Sequence, residues 1–144
     1  MEQRGIELGL TYSRGRSWSS NSLRALEAGE FANEHETAEI AWAFHRALFK
    51  AYFTDLADIN DVEVLVGAGR AAGVDIEALR ASLESRSYQE QVAEGLRWSR
   101  EVGVTAVPTF VIDEQYAVVG AQPVEVFENV LQQLGKVAKG AAAP

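Results

Sequence analysis

Residues able to do chemistry are few in this chain, and their spacing excludes more than it offers. There is no cysteine, so the chain itself carries no thiolate nucleophile, no thiolate metal ligand and no disulfide. Its two histidines, His35 and His45, stand ten positions apart with no ligand spacing around them, which argues against a structural zinc site. Neither a glycine-rich phosphate loop nor a Gly-x-Ser-x-Gly elbow is present. The carboxylates scatter along the chain, so most read as a solvated face, with no dyad for acid–base work. No catalytic residue and no metal ligand is assigned. His35 suits the C-terminal end of a helix, where an imidazolium meets the negative end of the dipole. His45 reads as a partly exposed or hydrogen-bonded structural histidine. Trp18 and Trp98 either line a ligand site or, the favoured reading, anchor the edge of the core.

What remains is a backbone feature. Pro108 stands at the mouth of a short β-branched and aromatic run, Thr109 to Ile112, where a missing N–H does least harm. A second such run, Tyr116 to Val119, follows the polar turn Asp113-Glu114-Gln115, so the two read as a hairpin. Gln122-Pro123 then opens a helix, since proline fits a first helical position. Both strands are apolar at nearly every position, and an isolated two-stranded hairpin is marginal in water. The hairpin must therefore pack on its own helices or receive further strands.

The other elements are almost all helical. Residues 5–12 alternate loosely and read as a short strand or linker, and residues 13–21 as a polar loop. A helix over residues 22–34 is capped by Asn21 or Ser20. Thr37 caps a second helix to about residue 53, with Phe44, Leu48 and Tyr52 on a wide apolar stripe. Asn60 is the expected cap of a third helix that stops at Gly73, a left-handed position. Asp75 caps a fourth, Ser87-Tyr-Gln-Glu90 is a capping box for a fifth, and the last helix ends at Gly135. Residues 136–144 are expected to fray.

The length of 144 residues suits a single domain with a full core. With 13 basic and 21 acidic residues the net charge is −8, which disfavours a phosphate backbone as partner. No apolar run approaches the roughly 20 residues that span a bilayer. The first residues lack a basic end followed by an apolar block, so the expected location is cytoplasmic.

The stretch Gly103-Val-Thr-Ala-Val-Pro-Thr-Phe-Val-Ile112, with Tyr116-Ala-Val-Val-Gly-Ala-Gln-Pro123, resembles the C-terminal half of DsbA-like thioredoxin-fold proteins. The resemblance is strongest to the FrnE-like branch of dithiol–disulfide isomerases, relatives of the 2-hydroxychromene-2-carboxylate isomerases. Asn21-Ser-Leu-Arg-Ala-Leu-Glu-Ala28, Phe44-His-Arg-Ala-Leu-Phe-Lys-Ala-Tyr-Phe53 and Val74-Asp-Ile-Glu-Ala-Leu79 resemble the helical insertion of that branch. The match runs from about residue 5 to 134. It implies an α-rich α/β fold: residues 22–102 as the helical insertion, and residues 103–135 as the cis-proline loop, hairpin and final helix. It also implies a cis peptide at Val107-Pro108, where the exposed backbone of Val107 meets an extended peptide or glutathione by strand addition; Val107 and Pro108 are the candidate contact residues, with Thr109 and Gln122 added as neighbours of that loop.

Family members begin with a strand, a Cys-x-x-Cys helix and another strand, and this chain departs from them there. The fold is thus expected in truncated form, without the thiolate and without the strands that flank the hairpin. Ser17-Trp-Ser-Ser20 is not a serine-substituted version of the missing motif, because its neighbours match the entry to the insertion. Three functions stand side by side. One is a thiol–disulfide oxidoreductase or isomerase relative that is redox-silent as this chain. Another is an isomerase or transferase whose thiol comes from glutathione. The third is a non-catalytic binding or assembly module. No resident cofactor is expected beyond glutathione. An open hairpin edge invites pairing, so a homodimer through that edge is expected.

Overall fold

The computed structural model describes residues 2–114 and 116–136. Contacts group the chain into two compact units, Met1–Leu96 and Arg97–Pro144. The first unit holds α1 (Glu2–Glu7), α2 (Leu23–His35), α3 (Ala38–Phe53), α4 (Val62–Ala72), α5 (Ile76–Ser85) and the greater part of α6 (Gln89–Glu101).

The helix starts follow from side-chain caps. Thr37 Oγ1 accepts the Ile40 N–H at 3.3 Å, and Asp75 Oδ1 accepts those of Glu77 and Ala78, both at 3.1 Å. Two expected caps move by one residue. Asn60 does not cap α4: the helix starts one residue later, and Asp61 caps it, accepting the Glu63 N–H at 2.8 Å. Ser22 occupies the N-cap position of α2 without a side-chain bond, while Asn21 Oδ1 accepts the Leu23 N–H at 2.9 Å. Gly73 closes α4 at φ 88°, a left-handed conformation that costs a residue without Cβ little.

The strand reading of residues 5–12 is corrected. These residues form the end of α1 and a turn, with the N–H groups of Leu8 and Leu10 both donating to the Gly5 carbonyl. A strand needs a neighbour to take its outward backbone groups. Residues 11–13 are instead tied to the end of α3: Thr54 Oγ1 donates to Thr11 O at 2.7 Å and Ser13 N–H to Phe53 O at 3.0 Å. The Tyr12 ring meets Phe53 edge-on at 5.4 Å.

The apolar stripe of α3 builds the core as its spacing predicts. Phe44 and Leu48 are buried, Tyr52 is partly buried, and they pack with Ala28 and Phe31 of α2, Leu65 of α4, and Leu79 and Leu83 of α5. Each such side chain contributes about 1.5–3 kcal/mol by leaving water. The carboxylates are not all on a solvated face, however. Glu27 of α2 is 3 % exposed and is gripped from both sides by Arg86, Nε to Oε2 at 2.8 Å and a terminal nitrogen to Oε1 at 2.6 Å.

The second unit carries β1 (Thr109–Ile112), β2 (Tyr116–Val119) and α7 (Val124–Gln133). The strands pair antiparallel with Thr109 opposite Val119 and Ile112 opposite Tyr116. Asp113 and Glu114 take left-handed φ values of 55° and 56°, the twist a tight hairpin turn demands. The hairpin packs on its following helix through an edge-on contact of Phe110 with Phe127 at 5.0 Å. Pro123 is the N-cap residue of α7, one position before the first helical residue expected for it. Among the described residues the sheet has two strands, and no helix is long and apolar enough to cross a membrane.

Candidate functional site

The site begins where α6 ends. Gly103 turns the chain at φ 77°, and Val104 N–H donates to Ser99 O at 2.8 Å, which starts the loop leading to β1. Across that loop Thr109 Oγ1 donates to the Ala106 carbonyl at 2.6 Å. The Val107–Pro108 peptide bond is cis. Pro108 O accepts the N–H of Gly120 at 2.7 Å, which binds the loop to the far end of β2. Gln122 folds back over the same corner: its backbone N–H donates to Gly120 O at 3.0 Å and its side-chain amide to Val119 O at 2.8 Å. Val107, Pro108, Thr109 and Gln122, separated by up to fifteen positions in sequence, thus gather at one end of the hairpin.

Their roles there differ. Thr109 and Gln122 spend their side chains bracing the corner. The Pro108 carbonyl is spent on Gly120. Val107 is left free, with 89 % of its surface exposed. The register extends this. In an antiparallel pair, directly opposed residues alternate between exchanging hydrogen bonds and turning their N–H and C=O groups away. The Gly120-to-Pro108 bond marks that pair as the bonded kind, so Phe110 and Ile112 also bond to β2 while Thr109 and Val111 face outward. Val107, Thr109 and Val111 therefore line one backbone edge that no strand covers among the described residues. Such an edge can hold an extended chain by main-chain bonds; it cannot by itself break a covalent bond.

Trp98 and Trp18 are both about half exposed. Trp98 lines a shallow cavity of about 300 Å³ against Val102, Val111 and Tyr116. The Trp18 ring stacks by the Arg16 guanidinium, 5.1 Å from its carbon, and Tyr52 lies on that carbon at 3.7 Å. His45 is hydrogen-bonded, its Nε2 3.1 Å from Asn33 Oδ1, and it borders a cavity of about 470 Å³ with Ser20, Leu26, Phe49 and Tyr52. No group of three metal-ligating side chains occurs among the described residues.

One constellation escaped the sequence reading. His35 is not merely a helix-end histidine: its Nε2 lies 2.8 Å from the buried Tyr88 hydroxyl, which donates to Glu34 Oε2 at 2.9 Å. Burial pushes the Tyr88 hydroxyl above its ordinary value of 10.0, and its bond to the Glu34 carboxylate pushes it further. The available signal was helical spacing. Glu27, Phe31 and Glu34-His35 recur every three to four residues on α2, beside the buried Ala28 and Ala32. The cluster ties the start of α6 to α2.

A family model for the DSBA-like thioredoxin domain matches residues 1–132. The uncharacterized protein YwbO of Bacillus subtilis is 30% identical over 108 residues, 74% of this chain and 52% of that protein. The crystal structure of a probable DsbA oxidoreductase from Streptomyces coelicolor superposes with a TM-score of 0.76 at 32% identity, covering 99% of this chain and 59% of that one. The chain thus spans about half the length of the curated relative it matches. The match takes in every element described above but the last residue of α7, and the chain belongs to the DSBA-like thioredoxin domain family.

Proposed function

We propose that this chain is the substrate-holding part of a DsbA-type thiol–disulfide oxidoreductase fold. It holds an extended peptide or glutathione along the Val107 edge and, having no cysteine, exchanges no disulfide itself. The observation that supports this is the outward backbone edge of Val107, Thr109 and Val111, with Val107 fully presented to solvent. Each main-chain bond to a ligand is worth about 0.5–1.5 kcal/mol net, so two or three bonds give weak binding, on the order of ten millimolar. In a fold of this kind the thiol chemistry is supplied by a partner or by the ligand, and this chain contributes alignment.

The test is an amide-detected NMR titration of the full chain with reduced glutathione and, separately, with an unstructured uncharged peptide. Saturable shifts centred on the amides of Val107, Thr109 and Val111 are expected. Val111→Pro removes an outward N–H without costing a bond to β2, so it should abolish those shifts and leave the helical spectrum intact. No shift at tens of millimolar ligand, or shifts unaffected by Val111→Pro, would reject the proposal. The same edge also supports the second reading, pairing of two copies through β1. In that case light scattering gives a dimer that Val111→Pro turns into a monomer, and the free ligand competes with dimerisation.

A further inference from the structure

We propose a second binding site, independent of the hairpin edge, for an amphiphile with a single carboxylate head and an acyl body. It lies in the helical unit, in a groove of about 590 Å³ between residues 9–12 and the C-terminal half of α3. The groove is formed by apolar side chains, Leu10, Tyr12, Phe49 and Phe53, with Arg46 and Lys50 on its rim. Its size falls in the range of small-molecule sites, about 300–1,000 Å³, which are built as this one is, apolar with few charged groups.

Three observations specify the ligand. The groove is a built one: the two hydrogen bonds from Thr54 and Ser13 hold its far wall on α3, and Tyr12 and Phe53 meet edge-on. Its apolar surface is uncovered, since Phe49 is 64 % exposed, and the Phe49 and Phe53 rings lie nearly parallel with centroids 6.2 Å apart. Its charge runs against the rest of the molecule. The chain has a net charge of −8, yet both charged side chains lining the groove are cations. Lys50 is already engaged by Asp55, at 2.6 and 2.7 Å, whereas Arg46 has no partner among the described residues. One uncommitted guanidinium beside an apolar surface selects one anionic head on an apolar body, and its planar fork suits a carboxylate.

Decanoate is the probe, titrated below its micelle concentration into the full chain, with decan-1-ol as the matched uncharged body. Saturable shifts at Leu10, Phe49 and Phe53 are expected, with the alcohol about fivefold weaker, the scale of one exposed ion pair. Arg46→Gln should bring the two ligands to equal affinity. Phe49→Ala, at an exposed position where the fold is kept, should weaken both about tenfold. Trp42→Ala, exposed on the same helix but outside the groove, serves as the control and should change neither. Absence of saturable binding, equal affinity for acid and alcohol, or an unchanged preference in Arg46→Gln would overturn the proposal. So would binding of an acidic amphipathic peptide where decanoate fails, which would assign the groove to a protein partner.

Discussion

Replacing Arg86 by alanine should be the most destabilising single surface-reachable change in the helical unit. Glu27 has 4 % of its side-chain surface exposed and Arg86 33 %, and two charge-assisted hydrogen bonds of 2.6 and 2.8 Å join them. Removing the guanidinium leaves a carboxylate buried without a partner, and such breakage costs about 3–5 kcal/mol. Because Arg86 approaches from solvent, water enters behind a truncated side chain, so the lower end, about 3 kcal/mol, is expected. Arg86 sits at φ 57°, but alanine there carries the same left-handed penalty as arginine, so the backbone contributes nothing to the difference. Urea unfolding followed by helical circular dichroism would show the midpoint falling by about 1–2 M. Adding Glu27→Leu to Arg86→Ala should restore at least half of the loss, since an apolar residue tolerates the buried site. The exposed pair Arg80–Glu63, bonded at 2.5 and 2.9 Å but with Glu63 70 % exposed, supplies the contrast, and Arg80→Ala should move the urea midpoint far less. A loss in Arg86→Ala no greater than in Arg80→Ala, or no rescue by Glu27→Leu, would show that the buried pair does not hold the helical unit together.

Two further outcomes follow from the packing. Gly69→Ala should destabilise by about 1–2 kcal/mol despite the better helix propensity of alanine, because the new methyl would stand 2.8 Å from Cδ2 of the fully buried Leu79; equilibrium unfolding measures it, and a stabilised variant would contradict the packing argument. Tyr88→Phe should cost about 1 kcal/mol near pH 8 through its lost hydrogen bonds. Burial holds the Tyr88 proton more tightly in the folded chain than the ordinary value of 10.0, so the stabilisation is complete below that pH and is lost as pH rises through the folded value. The difference between the native chain and Tyr88→Phe should therefore narrow above about pH 10, and a constant difference would show that the hydroxyl does not titrate as its surroundings require.

Much of this fold was legible because its signals are local. Thr37 and Asp75 cap where their side chains reach the next turn, and Phe44 and Leu48 fall on one face by helical period alone. The hairpin was legible from two β-branched runs around a polar turn, and its register places Thr109 against Val119 as that spacing requires. The misreadings share a cause. Residues 5–12 alternate like a strand, but alternation makes a strand only where a neighbour accepts the backbone groups, and α3 offered residues 11–13 a tether instead. Asn60 looked like a cap, but the helix starts at Val62 and Asp61 caps it. Glu27 looked solvated because its partner lies 59 positions away.

The candidate site divides along the same line. The amino-acid sequence alone determined which residues stand at the mouth of β1, that no thiol accompanies them, and that the chain is acidic, since these are properties of composition and near neighbours. Tertiary structure alone decided which backbone groups remain available. Whether a given N–H faces β2 or open space depends on the pairing of Pro108 with Gly120, and which cation of the α3 groove stays uncommitted depends on Asp55 pairing with Lys50. Hydrogen-bonding capacity is a property of a residue type, but its surplus is what remains after every contact is made. Only the folded chain settles that remainder.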